Sequence, residues 1–170
     1  MSVPDLTESF LTLSSATFST WHGRIEKCLD QLTPDQIWWR GQENSNAIGN
    51  LVLHLCGNVR QWILSGVGNA SDIRNRPAEF AQRETLPTEE LRTRLAEIVR
   101  EASQVISRLT EEDLKQRRSI QGYDVTVLEA VHHVTEHFAM HAGQILYATK
   151  LLTGTDLGFF RHLDPQQKKD

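Results

Sequence analysis

Little in this chain can act by covalent cross-linking. Its 170 residues include two cysteines, Cys28 and Cys56. Each lies within an apolar helical pattern, which reads as free thiols in a reducing compartment and not as a disulfide framework. Prolines are also few. They fall at positions 4, 34, 77, 87 and 165 and leave four long segments uninterrupted. No apolar run approaches the roughly 18 residues that a membrane span needs. Residues 1–8 have neither a positive nor an apolar leader region, so the chain is expected to be cytoplasmic, with no membrane partner. Basic blocks are missing too. Lys+Arg number 18 against 22 Asp+Glu, a formal net charge of −4, and nothing would track a phosphate backbone, so no nucleic-acid partner is expected. Strand signals are confined to one short extended piece at residues 119–125. Repeats and low-complexity tracts are absent, apart from a polar end at residues 164–170.

What remains is helical periodicity. The first segment, residues 5–32, carries Phe10, Leu13, Thr17, Trp21, Arg24, Ile25, Cys28 and Leu29 at helical spacing, and stops before Thr33-Pro34 because a residue preceding proline is pushed out of the α region. The second, residues 45–65, is entered through Asn44-Ser45-Asn46 as cap candidates and closed by Gly66. Its stripe is Ile48, Leu51, Val52, Leu55, Val59, Trp62 and Ile63. The third begins at Thr88, with Glu89 and Glu90 suited to the positive end of the helix dipole. It runs to about Leu109 through Leu91, Leu95, Ile98, Val99, Ala102 and Ile106, and a short extra turn follows at Thr110. The fourth opens with the capping box Thr126-x-x-Glu129 and ends near Gly154. Its stripe is Leu128, Val131, Val134, Phe138, Ile145 and Leu152. The whole, residues 1–170, reads as one all-α domain, a four-helix bundle. The polar connection at residues 66–87 is too long for a tight turn, which marks it as a crossover or a functional loop.

Two histidine rows carry the chemistry. Asn50, His54, Asn58 and Gln61 form a polar line beside the stripe of the second helix. His133, His137, His141 and Gln144 form another beside that of the fourth. Residues four apart share a helix face, so either His133/His137 or His137/His141 can close on one divalent ion, with His54 completing a site that keeps open positions. Both rows can face the bundle interior, where an unpartnered polar row would cost several kcal/mol per group. The zinc-protease pattern His-Glu-x-x-His is absent, since Phe138 follows His137. A di-iron bundle needs two Glu-x-x-His motifs, and only Glu129-x-x-His132 exists. Three imidazoles without a thiolate suit zinc, nickel or iron. His22 and His162 stand in surface-like contexts.

Several stretches resemble the DinB-like (DinB/YfiT) superfamily, and within it the DUF1572 branch. They are Asn46-Ala-Ile-Gly-Asn-Leu-Val-Leu-His54-Leu-Cys-Gly-Asn58, Glu136-His137-Phe-Ala-Met-His141-Ala-Gly143-Gln144-Ile145, Lys150-Leu-Leu-Thr-Gly-Thr-Asp156-Leu-Gly-Phe159 and the loop piece Arg74-Asn-Arg76-Pro-Ala-Glu79-Phe80. The resemblance covers residues 24–163. It implies a four-helix bundle with a long crossover, a homodimer, and a metal held by His54, His137 and His141, with His133 set aside. Characterised relatives include transferases and isomerases that use a low-molecular-weight thiol such as bacillithiol or mycothiol.

The first expectation is therefore a metal-dependent thiol S-transferase acting on a small-molecule substrate. Asn58, Gln61 or Gln144 would orient the ligands, and Arg60, Arg74 or Arg76 would hold a carboxylate unless they are simply solvated. Metal-dependent hydrolysis of a small ester or amide ranks below it, because Glu136 lies three quarters of a turn behind the His137/His141 face and no other base accompanies the histidines. The third reading is a structural or metal-sequestering dimer, with Trp21, Trp38, Trp39 and Trp62 available for an interface or for the core.

Overall fold

The computed structural model describes residues 5–163. The readings placed on residues 1–4 and on the polar end at 164–170 lie outside the described residues. Helix α1, Leu6–Asp30, starts where Asp5 accepts a hydrogen bond from the Glu8 backbone N–H at 2.8 Å. Its buried face is Ser14, Phe18, Ile25, Cys28 and Leu29. Leu13 was expected in that stripe but is 67% exposed. It precedes Phe18 by five residues and so lies about 140° round the helix from it, at 3.6 residues per turn. The segment breaks before Pro34, as expected, and a capping box between Thr33 and Gln36 opens the short α2, Pro34–Trp38.

Helix α3, Ile48–Val59, begins three residues later than its periodicity suggests. Asn44, Ser45 and Asn46 do not cap it. Asn50 reaches back from the first turn instead, its Oδ1 accepting the Ala47 N–H at 3.1 Å. The helix does not close at Gly66 either. It widens into a π-helical segment, Arg60–Val67, that ends at Gly68, whose N–H donates to the Ile63 carbonyl five residues back at 2.8 Å. Gly66 is the packing point for the later hairpin: a Cβ there would stand 2.4 Å from Ile120 Cδ1.

The connection at residues 68–87 contains the short α4, Arg76–Ala81, capped by Asn75. Helix α5, Thr88–Ile106, buries Leu91, Leu95, Ile98, Val99, Ala102 and Ile106, all six positions of the expected stripe. Thr110 then caps α6, Glu111–Lys115. The extended piece proves to be a two-stranded hairpin, β1 Arg117–Ile120 against β2 Tyr123–Thr126. Positive φ at Gln121 (53°) and Gly122 (81°) gives the tight turn that matches strand twist. Helix α7, Val127–Thr153, is capped by the Thr126/Glu129 box and closed by Gly154 at φ 66°.

The four long helices make a four-helix bundle in which α1 packs on α5 and α7, and α3 with its π segment packs on the same two. Phe18 of α1 meets Phe138 of α7 edge to face at 5.3 Å near the centre of the core. Trp38 and Trp62 are buried, whereas Trp39 is 54% exposed. Both cysteines are free. Among the described residues no helix is long and apolar enough to cross a membrane.

Candidate metal centre

Helices α3 and α7 pack face to face, and this brings their two histidine rows together. His54, only 4% exposed, directs its Nε2 to within 3.2 Å of His137 Nε2. His141 directs its own Nε2 to the same atom, also at 3.2 Å. One nitrogen from each of the three lies within 4.8 Å of the others. His133 is not in this group. Its ring packs against Trp62, with centroids 4.3 Å apart, and stays 5.8 Å from the His137 ring. Of the remaining histidines, His22 pairs with Glu26 at 3.6 Å, and His132 and His162 are exposed.

Two of the three imidazoles are oriented from behind. His54 Nδ1–H donates to Glu79 Oε2 at 2.8 Å, and His141 Nδ1–H donates to Gln144 Oε1 at 2.8 Å. Glu79 can only accept and so favours a proton on His54 Nδ1, which Arg74 Nη2 also approaches at 3.1 Å; with Gln144 Oε1 accepting from His141 Nδ1–H, both Nε2 lone pairs face His137. A proton on His137 Nε2 can satisfy only one of the two contacts, and His137 Nδ1 is buried with no partner at all. Protein atoms alone therefore leave either a lone-pair clash or an orphaned group. A divalent cation removes the conflict. Zinc–imidazole bonds of about 2.0–2.1 Å would give an N···N edge of roughly 3.3 Å, close to the two 3.2 Å contacts that His137 makes, with the His54 and His141 nitrogens within 4.8 Å of each other. The donor set thus fits a metal ion, with positions left open for a ligand.

Electrostatics favour the neutral, ligating form. Burial pushes the His137 imidazole down to about 3, and His141, His54, His133 and Arg74 push it the same way. Burial also lowers His141, partly offset by Gln144, and lowers His133 against an opposing pull from Glu136. Burial drives the Cys56 thiol up to about 12, which disfavours its thiolate, and Cys56 is not among the residues that converge with the triad.

The backing of His54 comes from the crossover, which periodicity could not foresee. Arg74 grips Glu79 through Nε to Oε1 at 2.7 Å and Nη2 to Oε2 at 2.9 Å, while its Nη1 donates to Gln61 Oε1 at 3.0 Å. Burial raises the Glu79 carboxyl, but the hydrogen bonds from Arg74 and His54 outweigh it and hold the group below the usual range. Arg74 is not a solvated surface arginine; its side chain is 2% exposed. The approach is so close that a Cβ on Gly57 would stand 1.9 Å from Glu79 Oε1. Asn50 ties the same segment down by donating to the Glu79 and Gln82 carbonyls at 2.8 and 3.1 Å. Neither Glu79 nor Gly57 carries a periodic signal. The hints were the short span between Arg74 and Glu79, a glycine inside a helical pattern, and the presence of Glu79 and Gly57 in stretches that carry the family resemblance.

A cleft of about 540 Å³ opens at His54 and His137, walled by Asn58, Trp62 and His133 and by Tyr123 and Val125 of the hairpin. Its position gives a small molecule access to the triad.

The fold is shared with a solved structure, a conserved protein from Enterococcus faecalis. That chain is 19% identical, with a TM-score of 0.74, and the match covers 90% of this chain and 100% of the other. No protein of curated function matches. The family model described as a protein of unknown function, DUF1572, matches residues 5–161, nearly the whole bundle including the crossover, and the chain belongs to that family.

Proposed function

We propose that this chain holds one divalent metal ion, zinc, nickel or iron, on His54, His137 and His141. We further propose that it is a metal-dependent S-transferase of the DinB-like superfamily, joining a low-molecular-weight thiol to an electrophilic small molecule. The observation that carries this reading is the approach of His54 Nε2 and His141 Nε2 to within 3.2 Å of His137 Nε2, while the Nδ1 atoms of His54 and His141 are held outward by Glu79 and Gln144. A metal held there by His54, His137 and His141 would lower the pKa of a thiol, which otherwise titrates near 8.5, and so favour thiolate at neutral pH.

The chain's own residues do the rest. Glu79, locked by Arg74, fixes the ring orientation and tautomer of His54, and Gln144 does the same for His141. In the transfer the thiol proton passes to solvent, and the sulfur lone pair forms the new carbon–sulfur bond. The leaving group departs with the electron pair of the bond that breaks. Hydrolysis ranks lower because each nearby carboxylate is occupied or turned away. Glu79 is bound to Arg74 and His54, Glu129 to the Thr126 N–H and hydroxyl, and Glu136 is exposed.

Metal content per chain, measured by plasma mass spectrometry on untagged protein, tests the site. Near-stoichiometric metal that disappears in His54→Ala and His137→Ala is the expected result, followed by transfer of bacterial thiols to monochlorobimane by the reloaded protein. Wild-type protein that stays empty after incubation with each metal sinks the catalytic reading. Bound metal without any transfer leaves a structural or sequestering role.

A further inference from the structure

Three arginines could anchor an anionic ligand near the triad, and the geometry separates them. Arg74 is committed to Glu79 and Gln61. Arg60 lines a different cavity, with Arg94, Glu97 and Glu101. Arg76 lines the cleft that holds His54 and His137, and no carboxylate pairs with it among the described residues. Its guanidinium lies 5.0 Å over the Phe80 ring, and that ring lies 4.7 Å from the His54 ring. A stack of three side chains thus places a cation, on an exposed arginine, beside the triad.

The same cleft is lined by two side chains with polar atoms that nothing satisfies. Asn58 is 4% exposed and Trp62 is 3% exposed, and both Asn58 Oδ1 and Trp62 Nε1 are buried without a hydrogen-bond partner. One is an acceptor and the other a donor. Spaced by four residues from each other and from His54, they continue its line along α3 into the π segment. Buried orphans of this kind are rare and call for a partner. The two carboxylates nearest the cleft are already engaged, Glu79 by Arg74 and Glu129 by the α7 cap, so the uncommitted charge there is positive.

We propose that this cleft binds a small carboxylate-bearing molecule. Arg76 takes the carboxylate, Asn58 and Trp62 take a hydrogen-bond donor and an acceptor on the body of the ligand, and its far end reaches the triad. Only that last clause rests on the metal reading. The carboxylate can belong to the thiol or to its electrophilic partner, and three probes separate these sources: 3-mercaptopropionate, 2-mercaptoethanol and benzoate. Two readouts are followed, the sulfur-to-metal charge-transfer band of cobalt-loaded protein and, in metal-free protein, the indole N–H resonance of Trp62, assigned with Trp62→Phe.

Both carboxylates should shift the indole resonance in wild-type protein and not in Arg76→Gln. On cobalt, 3-mercaptopropionate should bind at least about tenfold tighter than 2-mercaptoethanol, a margin of one charge-assisted contact, and Arg76→Gln should erase that margin. A benzoate shift without a margin between the two thiols assigns the carboxylate to the electrophile. A 3-mercaptopropionate shift with that margin and no benzoate shift assigns it to the thiol, whereas failure of both carboxylates to move the indole, or a shift that persists in Arg76→Gln, overturns the proposal. Because the indole readout needs no metal, an absent cobalt spectrum counts against the metal site alone.

Discussion

Replacing Glu79 with glutamine keeps the shape of the side chain and removes the charge on which the whole backing depends. In the native chain its two oxygens accept from Arg74 Nε at 2.7 Å, Arg74 Nη2 at 2.9 Å and His54 Nδ1 at 2.8 Å. An amide offers one acceptor and turns an NH₂ toward the remaining donors. The guanidinium is then left uncompensated in a place where the side chains of Arg74 and Glu79 are 2% and 10% exposed. Removing one partner of a buried ion pair costs about 3–5 kcal/mol. The lower end applies here, since Arg74 Nη1 keeps Gln61. Urea denaturation of metal-free Glu79→Gln at pH 7 should therefore show a loss of about 3 kcal/mol with an unchanged slope. Chelator competition should show metal affinity down about 10–100-fold, the usual cost of losing a group that orients a metal-bound imidazole.

The pH dependence follows from the sign of the shift. The folded-state value of Glu79 lies below its ordinary 4.5, so its stabilisation is complete above that pH and is lost as pH falls through the depressed value. Glu79→Gln should lack this part of the acid transition. A variant as stable as wild type at neutral pH, with unaltered metal affinity, would refute the idea that the crossover holds the site together.

Other outcomes follow from the same geometry. His133→Ala should retain the metal that His54→Ala, His137→Ala and His141→Ala lose, as judged by metal content. Gly57→Ala should push Glu79 off its seat and cost about 1–3 kcal/mol of overpacking, together with metal affinity, seen by denaturation and competition titration. Phe138→Ala should cost about 3–5 kcal/mol in urea by opening a cavity against Phe18. Because the folded His137 imidazole is depressed to about 3 from an ordinary 6.5, the unfolded chain takes up a proton that the folded chain refuses. Metal-free stability should fall as pH drops from 6.5 toward 3, and His137→Asn should flatten that decline.

The bundle was legible because its stripes are long and repeat at helical period. All six inward positions of α5 are buried as its periodicity indicates. Local chemistry was harder to read where two groups compete for one task. Asn44, Ser45 and Asn46 all have capping side chains, yet Asn50 satisfies Ala47 from inside the helix. The triad was half legible. Spacing allowed His133 or His141 beside His137, the family resemblance favoured His141, and in the structure His133 packs on Trp62 while His141 Nε2 lies 3.2 Å from His137 Nε2. Glu79 and Gly57 were hidden for a different reason: their meaning is a contact between α3 and a segment 22 residues further on, and no period links them.

The π segment gives the molecule a seam. Bonds that skip five residues accommodate one more residue than an α-helix of the same rise, so Arg60–Val67 has the form of a single-residue insertion in an otherwise ordinary helix. Upstream of the seam lie Asn50 and His54; at and beyond it lie Trp62 and the glycine on which the hairpin rests. Removing one residue there would turn everything downstream by about 100° while leaving the first half of the helix in register. His54 and the Trp62 part of the cleft wall therefore belong to separately adjustable halves of one rod. Diversification within such a scaffold can re-cut what enters the cleft without disturbing the histidines at its floor.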